Sequence, residues 1–455
     1  MTNSKFMARV SGLLLGMFFT FTVQAEEVKL DFVISDGLDS ARPVAVIPFA
    51  WKGLAQQPSQ DVATVISSDL RRSGRFNPMA RNQIRSLQEV YRYEDVNLEL
   101  WKEKGIEAVA VGSIEEQPDG RLKISYDLVD VFQREQEVRN GELVNVNRNR
   151  IDTWAIIIPA KDLRFYAHKV ADRIYEALTG EKGAFATRIA YVSVNKSLEK
   201  PYSLMIADSD GYAPQTLFSS YEPIMSPAWS PDAQKMAYVS FENGRSEVWM
   251  QDIYKTNSRR RVAAFEGINS APSFSPDGRK LALTLSRDGN AEIYVLDLNS
   301  QRFSRITRSI NSIETEASWT PDGQSLLFTS DRGRGPQIYK QNLASNRAFR
   351  LTWEGNYNAS AALTPDGKTM VLINRTNGIF HVAVQDMETN AMQTLTETSL
   401  DESPSLAPNG SMVIYATVYR GRQVLSVVST DGRFKARLPS RQGEVKAPVW
   451  SPYLN

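Results

Sequence analysis

The chain has 455 residues, 42% of them hydrophobic and 23% charged, with a formal net charge of +1. That length gives room for two or three domains, and the composition is that of a folded protein. The balance of charge excludes an electrostatic case for nucleic acid or an anionic membrane surface, and the lack of any cysteine excludes a thiolate metal site and a lipoprotein signal.

Residues 1–25 read as an export signal. Lys5 and Arg9 make a positive start, residues 10–23 form an apolar run, and Val23-Gln24-Ala25 offers small or aliphatic side chains to a signal peptidase. The run is short for a membrane span and Glu26-Glu27 follows it at once, although an uncleaved anchor is the rival reading. Loss of Lys5 and Arg9 takes the net charge to −1. No later stretch is apolar enough to span, so the mature protein is expected to be soluble and exported.

Residues 26–41 form a short leader in which Val28, Leu30 and Phe32 alternate with Lys29 and Asp31, the period of a strand. Such a segment pairs with a sheet edge or stays loose. An α/β unit is expected over residues 42–179. It opens with a buried strand at residues 44–49 and continues with a helix at 61–73, where Val62, Val65, Ile66 and Leu70 share a face and Gly74 stops the turn. Asn97 caps a second helix containing Leu98, Leu100 and Trp101, ended by Gly105. A strand at 106–114, a Pro118-Asp119-Gly120 turn and a returning strand at 122–131 make a hairpin, and residues 142–146 add a strand. Residues 160–178 are an amphipathic helix with Leu163, Ala167, Val170, Ile174 and Leu178 on one side. Residues 180–187 are the candidate linker.

From residue 188 the chain repeats one phrase. Trp229-Ser230-Pro231-Asp232 returns as Phe274-Ser275-Pro276-Asp277-Gly278, Trp319-Thr320-Pro321-Asp322-Gly323, Leu363-Thr364-Pro365-Asp366-Gly367, Leu406-Ala407-Pro408-Asn409-Gly410 and Trp450-Ser451-Pro452. The prolines are 45, 45, 44, 43 and 44 residues apart. A period of this length built from short strands marks a β-propeller with one four-stranded blade per repeat. In each blade the phrase ends an inner strand and the Asp-Gly step makes a tight turn. The last copy has no second strand after it, while the strands at 189–193, 203–207 and 215–218 lack an inner partner. If residues 447–450 supply that partner, the ring closes with six complete blades. The predicted fold is therefore two domains, an N-terminal α/β domain and a six-bladed all-β propeller over 188–455, closed by the C-terminal strand.

Catalytic chemistry is sparse. His168 falls on a predicted helix and His381 on a predicted strand, and two separate histidines read as ordinary side chains rather than metal ligands. There is no Gly-x-Ser-x-Gly elbow and no Gly-x-x-x-x-Gly-Lys-Ser/Thr loop. Asp232, Asp277, Asp322 and Asp366 sit in successive turns, too far apart to share an ion, and are expected to bond their own turn backbones. No catalytic residue, cofactor or metal is expected. What remains is surface. The loops leading into the inner strands surround one mouth of the channel, and they include Met225, Asn269, Ala271, Thr315, Glu316, Tyr357, Asp401 and Glu402. Their mix of small, charged and aromatic side chains suits a protein or peptide ligand.

Several runs carry a family resemblance. They are Arg42-Pro43 with Val46-Ile47-Pro48-Phe49, Asp69-Leu70-Arg71 with Ser73-Gly74-Arg75-Phe76-Asn77-Pro78, and Leu351-Thr352-Trp353-Glu354-Gly355. Ser405-Leu406-Ala407-Pro408-Asn409-Gly410, the run over residues 429–439 and Trp450-Ser451-Pro452-Tyr453-Leu454 complete the set. Together, and in this order, the mature chain resembles the TolB family, the periplasmic propellers of the Tol–Pal system. The resemblance implies a non-enzymatic periplasmic adaptor. Its propeller mouth would bind Pal, an outer-membrane lipoprotein that grips peptidoglycan, at the loop residues named above. Its mature N-terminal segment would bind TolA, an inner-membrane-anchored protein, through Glu26, Val28, Leu30, Phe32, Ile34 and Asp36. The implied role is in outer-membrane integrity and constriction at division, and the translocation domains of some bacteriocins would exploit the same mouth. Ile268 departs from the pattern, standing where a polar or His residue is expected. Two other classes stay open on the residues alone, a propeller-borne hydrolase or lyase and a peptidoglycan- or carbohydrate-binding module.

Overall fold

The structure is a computed structural model that describes residues 32–33, 41–87, 90–132, 135–139, 142–146, 149–438 and 443–454. The expected signal peptide and, among the named leader residues, Glu26, Val28, Leu30, Ile34 and Asp36 lie outside the described residues. Among the described residues no helix is long and apolar enough to cross a membrane.

The N-terminal domain is built on a mixed sheet. Phe76–Pro78 and Ala108–Glu116 flank Arg42–Val46 in parallel, and Leu122–Asp130 and Arg150–Ile158 extend the sheet antiparallel. One face is covered by helices α1 (Val62–Arg72) and α4 (Leu163–Thr179), whose apolar stripes meet Val44, Val46, Ala108, Ile124 and Tyr126. The other face is covered by α2 (Arg81–Leu87) and α3 (Leu98–Glu103), where Ile84 and Trp101 pack on Ala45, Ile47, Val109 and Val111. Local chemistry sets the helix ends. Asp61 accepts from the Thr64 N–H (3.2 Å) and Asn97 from the Leu100 N–H (3.2 Å), caps of about 1 kcal/mol each. Gly74 follows α1 with φ +70°, and a Cβ there would lie 2.5 Å from Cβ of Phe434 in the propeller. This glycine therefore serves both the turn and the close approach of the two domains.

The helix expected at 160–178 begins instead as a 3-10 turn (Ala160–Asp162) and becomes α-helical at Leu163. Sequence reading missed Phe76–Pro78, α2 and Arg150–Ile158. The two strands gain their meaning from sheet neighbours distant in the chain, not from a local period.

The second domain is a six-bladed ring. Blades 1 to 5 have inner strands Ile224–Trp229, Asn269–Phe274, Glu314–Trp319, Asn358–Leu363 and Glu402–Leu406, each followed by its three outer partners in chain order. Blade 6 joins the two ends of the ring. Its inner strand Glu444–Trp450 pairs antiparallel with Arg188–Val194, and Tyr202–Asp208 and Gln215–Ser220 complete it. The expected closure holds: Ile189 pairs with Trp450, Ala190 with Val449 and Val192 with Lys446, and all three are buried beside the closing strand. Blade 5 carries a fifth strand. Phe32–Val33 of the leader pairs with Lys435–Arg437, with Phe32 opposite Ala436 and Val33 opposite Lys435.

The segment between the domains is short and pinned. Asp172 on α4 accepts from the Phe185 N–H (2.6 Å) and the Ala186 N–H (3.1 Å), and Ala184, Phe185, Ala186 and Thr187 are buried.

Candidate functional site

The repeat phrase explains both the tightness of the ring and the shape of its channel. In blade 2, Ser275 Oγ donates to Asp277 (2.6 Å), and the same carboxylate accepts from the Arg279 N–H (3.0 Å). Blades 1, 3 and 4 repeat this with Asp232, Asp322 and Asp366, so these carboxylates bond their own turns as expected. The hydroxyl beside Asp277 and the backbone N–H of Arg279 hold that carboxyl below its ordinary range. The aromatic residue of the phrase ties blade to blade. The Trp319 indole donates to the Ser273 carbonyl (3.0 Å), and the Trp229 indole to the Val449 carbonyl (3.3 Å).

Three residues before each aromatic or leucine, the inner strand bulges. Ser226, Ala271, Glu316, Ser360, Ser403 and Ala447 have φ between 45° and 54°, and the ladder register shifts at each. Four are followed by proline, at 227, 272, 404 and 448, where no ladder N–H is needed. These bulges line the central channel with serine, alanine and proline around a cavity of about 510 Å3. Glu316 is the charged exception. Its carboxylate accepts from Thr329 Oγ1 (3.1 Å) and from the Ser360 N–H of the next blade (3.1 Å).

The two mouths of the channel differ. The mouth at the turn side faces the α/β domain. There Asn409 donates to the Lys182 carbonyl (3.0 Å), the Lys182 ammonium lies 3.8 Å from the Tyr453 ring centre, and Arg72 donates to Ser209 Oγ (3.1 Å). The opposite mouth is ringed by the loops that lead into the inner strands and by the turns between second and third strands. Among the described residues, every exposed large hydrophobic side chain of the propeller except Tyr254 and Phe349 lies on this side. Ile310 is 92% exposed, Trp353 73%, Ile313 55% and Ile268 47%. Exposed apolar side chains gathered on one face of a molecule mark an interaction surface.

The residues singled out from sequence separate into three groups. Met225 is exposed on this rim, and Ala271 and Glu316 line the channel behind it. Thr315, Tyr357 and Glu402 are half-buried. Thr315 is bonded to Thr284 Oγ1 (3.3 Å), Tyr357 packs edge-on against Phe380, and Glu402 accepts from Gln423 (3.1 Å). Asn269 and Asp401 are not surface residues. Asn269 is fully buried and fastens its loop to Phe265 and Ser246, while Asp401 accepts from Thr396 and Thr398. Both stand two positions before the bulge, as do the buried Glu314, which accepts from Ser330 Oγ on the neighbouring strand (3.0 Å), and Asn358, which donates to the Glu354 carbonyl of the loop before it (2.8 Å). Sequence reading took this position for rim because a polar residue opening a strand looks exposed. It passed over Ile310 and Ile313, which belong to no repeat phrase. His168, read as an ordinary helical side chain, is buried at the domain junction against Asp69.

A closed propeller with a second domain packed on its turn face at blades 5 and 6, and its opposite mouth rimmed by apolar loops, has the build of a two-domain interaction protein. Residues 30–137 match the TolB amino-terminal domain family and residues 175–454 the TolB beta propeller domain family. The chain is 53% identical to the Tol-Pal system protein TolB of Histophilus somni strain 2336 over 454 residues, covering 99% of each chain. It is 53% identical to that of Hamiltonella defensa over 422 residues, 92% of this chain and 94% of the relative. The crystal structure of TolB from Acinetobacter baumannii superposes with a TM-score of 0.81 at 40% identity, covering 93% of this chain and all of that one. The chain belongs to the TolB family of Tol–Pal system proteins.

Proposed function

We propose that this protein is a non-enzymatic periplasmic adaptor that binds Pal at the free propeller mouth and TolA through its mature N-terminal segment, in support of outer-membrane integrity and constriction at division. The observation that carries the first half is the apolar rim. Ile268, Ile310, Ile313, Met225 and Trp353 stand out on the one face that the α/β domain leaves open. Isoleucine at 268 gives this rim an apolar anchor where a polar or His side chain was expected, so the contact with Pal is driven there by burial of hydrocarbon surface. The second half is supported by the leader strand, whose pairing with blade 5 spans Phe32–Val33 and leaves it on a sheet edge from which it can be released. A leader with a docked and a released state gives Pal and TolA a means of thermodynamic linkage, provided Pal favours one of the two. Bacteriocin translocation domains would compete with Pal for the same rim.

The test is a calorimetric titration of the exported chain with the soluble domain of its own Pal, repeated on Ile310→Ser and Ile313→Ser. Both side chains are exposed, so the variants should melt with the parent. Each is expected to weaken Pal by about tenfold, the loss of one apolar anchor in an interface. Unchanged affinity in both would remove the rim from the interface. If the protein pelleted with purified cell wall without Pal, the reading as a peptidoglycan-binding module would replace this one.

A further inference from the structure

The junction between the domains holds a buried group of charges. From the α/β domain, α1 contributes Asp69 and Arg72, and α4 contributes Arg164, His168 and Asp172. From blade 6 of the propeller come Asp208, at the end of the strand Tyr202–Asp208, and Asp210, in the turn after it, with Arg188 near Asp208. His168 is 1% exposed and its Nδ1 lies 2.5 Å from an Asp69 oxygen. The other Asp69 oxygen accepts from Arg72 (2.8 Å), which also donates to Ser209 Oγ across the junction (3.1 Å). Arg164 pairs with Asp210 and lies 3.5 Å from Asp208. A ring nitrogen of His168 and one oxygen each of Asp208 and Asp210 lie within 4.8 Å of one another, and His168 Nε2 has no hydrogen-bond partner.

A neutral imidazole that donates Nδ1–H to Asp69 leaves Nε2 buried without a partner, on a ring that lies beside two carboxylates. Two species relieve that, a metal cation or a proton. Arg164 already pairs with both propeller carboxylates, so a dication would have to compete with that guanidinium, whereas a proton on Nε2 displaces nothing. We propose that the domain junction is a proton-binding site, in which the His168 imidazolium is held between Asp69 of the α/β domain and the Asp208–Asp210 pair of the propeller and fastens one domain to the other. Burial alone would lower the affinity of His168 for the proton, but Asp69 first and then Asp210 reverse this, and the group sits above its ordinary value of 6.5. A histidine whose folded value is raised contributes its stabilisation in full below about 6.5 and loses it as pH rises through the folded value. The junction is therefore tight in mildly acidic surroundings and loosens on the alkaline side.

The chain has two histidines and no cysteine, which makes the test clean. Nuclear magnetic resonance of the histidine-labelled full chain follows both rings, and His381→Gln identifies His168. His168 is expected to titrate above 6.5. In Asp208→Asn and Asp210→Asn its midpoint should fall by about one unit, tenfold in proton affinity. In parallel, spin labels at Lys104→Cys and Asn299→Cys report the distance between the domains. That distance distribution should broaden from about pH 6 to about pH 9 in the parent and stay fixed in His168→Asn, whose amide still bonds Asp69 without titrating. A His168 midpoint below 6.5, a midpoint indifferent to both propeller variants, or a distance distribution unchanged with pH in the parent would each overturn the proposal. So would stoichiometric Zn2+ binding that His168→Asn abolishes, because the site would then be a metal centre.

Discussion

Residues at one repeat position carry a positive φ without being glycine, which costs on the order of 1 kcal/mol each. Five of the six are serine or alanine and the sixth is Glu316, whose carboxylate recovers part of that cost by capping the Ser360 N–H of the next blade. Nothing in the sequence announces this. The position reads as an ordinary strand residue, and only the recurring proline after it hints that the ladder is broken there. The turn aspartates are the opposite case, because Ser/Thr-Pro-Asp-Gly names its own hydrogen bonds. Blade 5 already replaces the aspartate by Asn409, which accepts from the Ser411 N–H (3.1 Å) as the carboxylates do elsewhere. The triple variant Asp277→Asn, Asp322→Asn, Asp366→Asn should therefore still fold, with a neutral-pH melting temperature a few degrees below the parent's at most. The folded values of these three carboxyls are depressed, so their contribution is present above the ordinary carboxylate value and is lost as pH falls through the folded value. Asparagine does not protonate, so acid unfolding of the variant should begin at lower pH than in the parent. Acid unfolding at the parent's pH would show that these turns do not govern it.

The strand Glu444–Trp450 decides whether the ring is a ring. It was legible because the sixth phrase lacks its followers and the strands at 188–220 lack their leader, so two incomplete ends imply one blade. Its buried residues include Val445 and Trp450, and the Trp450 indole also donates to Thr187 Oγ1 (2.8 Å) where the two domains meet. Losing a buried tryptophan costs about 3–5 kcal/mol, and in a domain of this size each kcal/mol moves the melt by about 2–4 °C. Deletion of residues 446–455 should thus lower the melting temperature of the ring by on the order of 10 °C. An unchanged melt would mean that the ring closes by some other contact. In the α/β domain the helices with a cap or a long stripe were equally legible, as Asn97 and the apolar faces of α1 and α4 show. Arg150–Ile158 was not, since its burial alternates only along part of its length and its partner lies in the hairpin before it.

At the scale of the whole molecule the two faces of the ring differ. The turn face is held by the α/β domain through contacts between residues far apart in the chain. Asp69, His168 and Asp210 have no shared motif and meet only once both domains are folded, which is why the junction was invisible in the sequence. The loop face was visible as a position but not as a chemistry. Its loops could be placed by counting along the repeat, yet its exposed apolar side chains sit outside the phrase, and Asn269 and Asp401 proved to be buried braces. The leader joins the two domains a second time, since Phe32–Val33 extends blade 5 and Arg42, nine residues on from Val33, opens the α/β domain.

The most direct test titrates the soluble Pal domain into the chain without residues 1–25 and into a shortened chain that begins at Arg42, by calorimetry at matched pH and salt. Tight binding to both, with an affinity that changes when the leader is removed, is the predicted result, because a strand that docks and releases must be linked to the partner that favours one state. No binding to either chain would contradict the adaptor account itself.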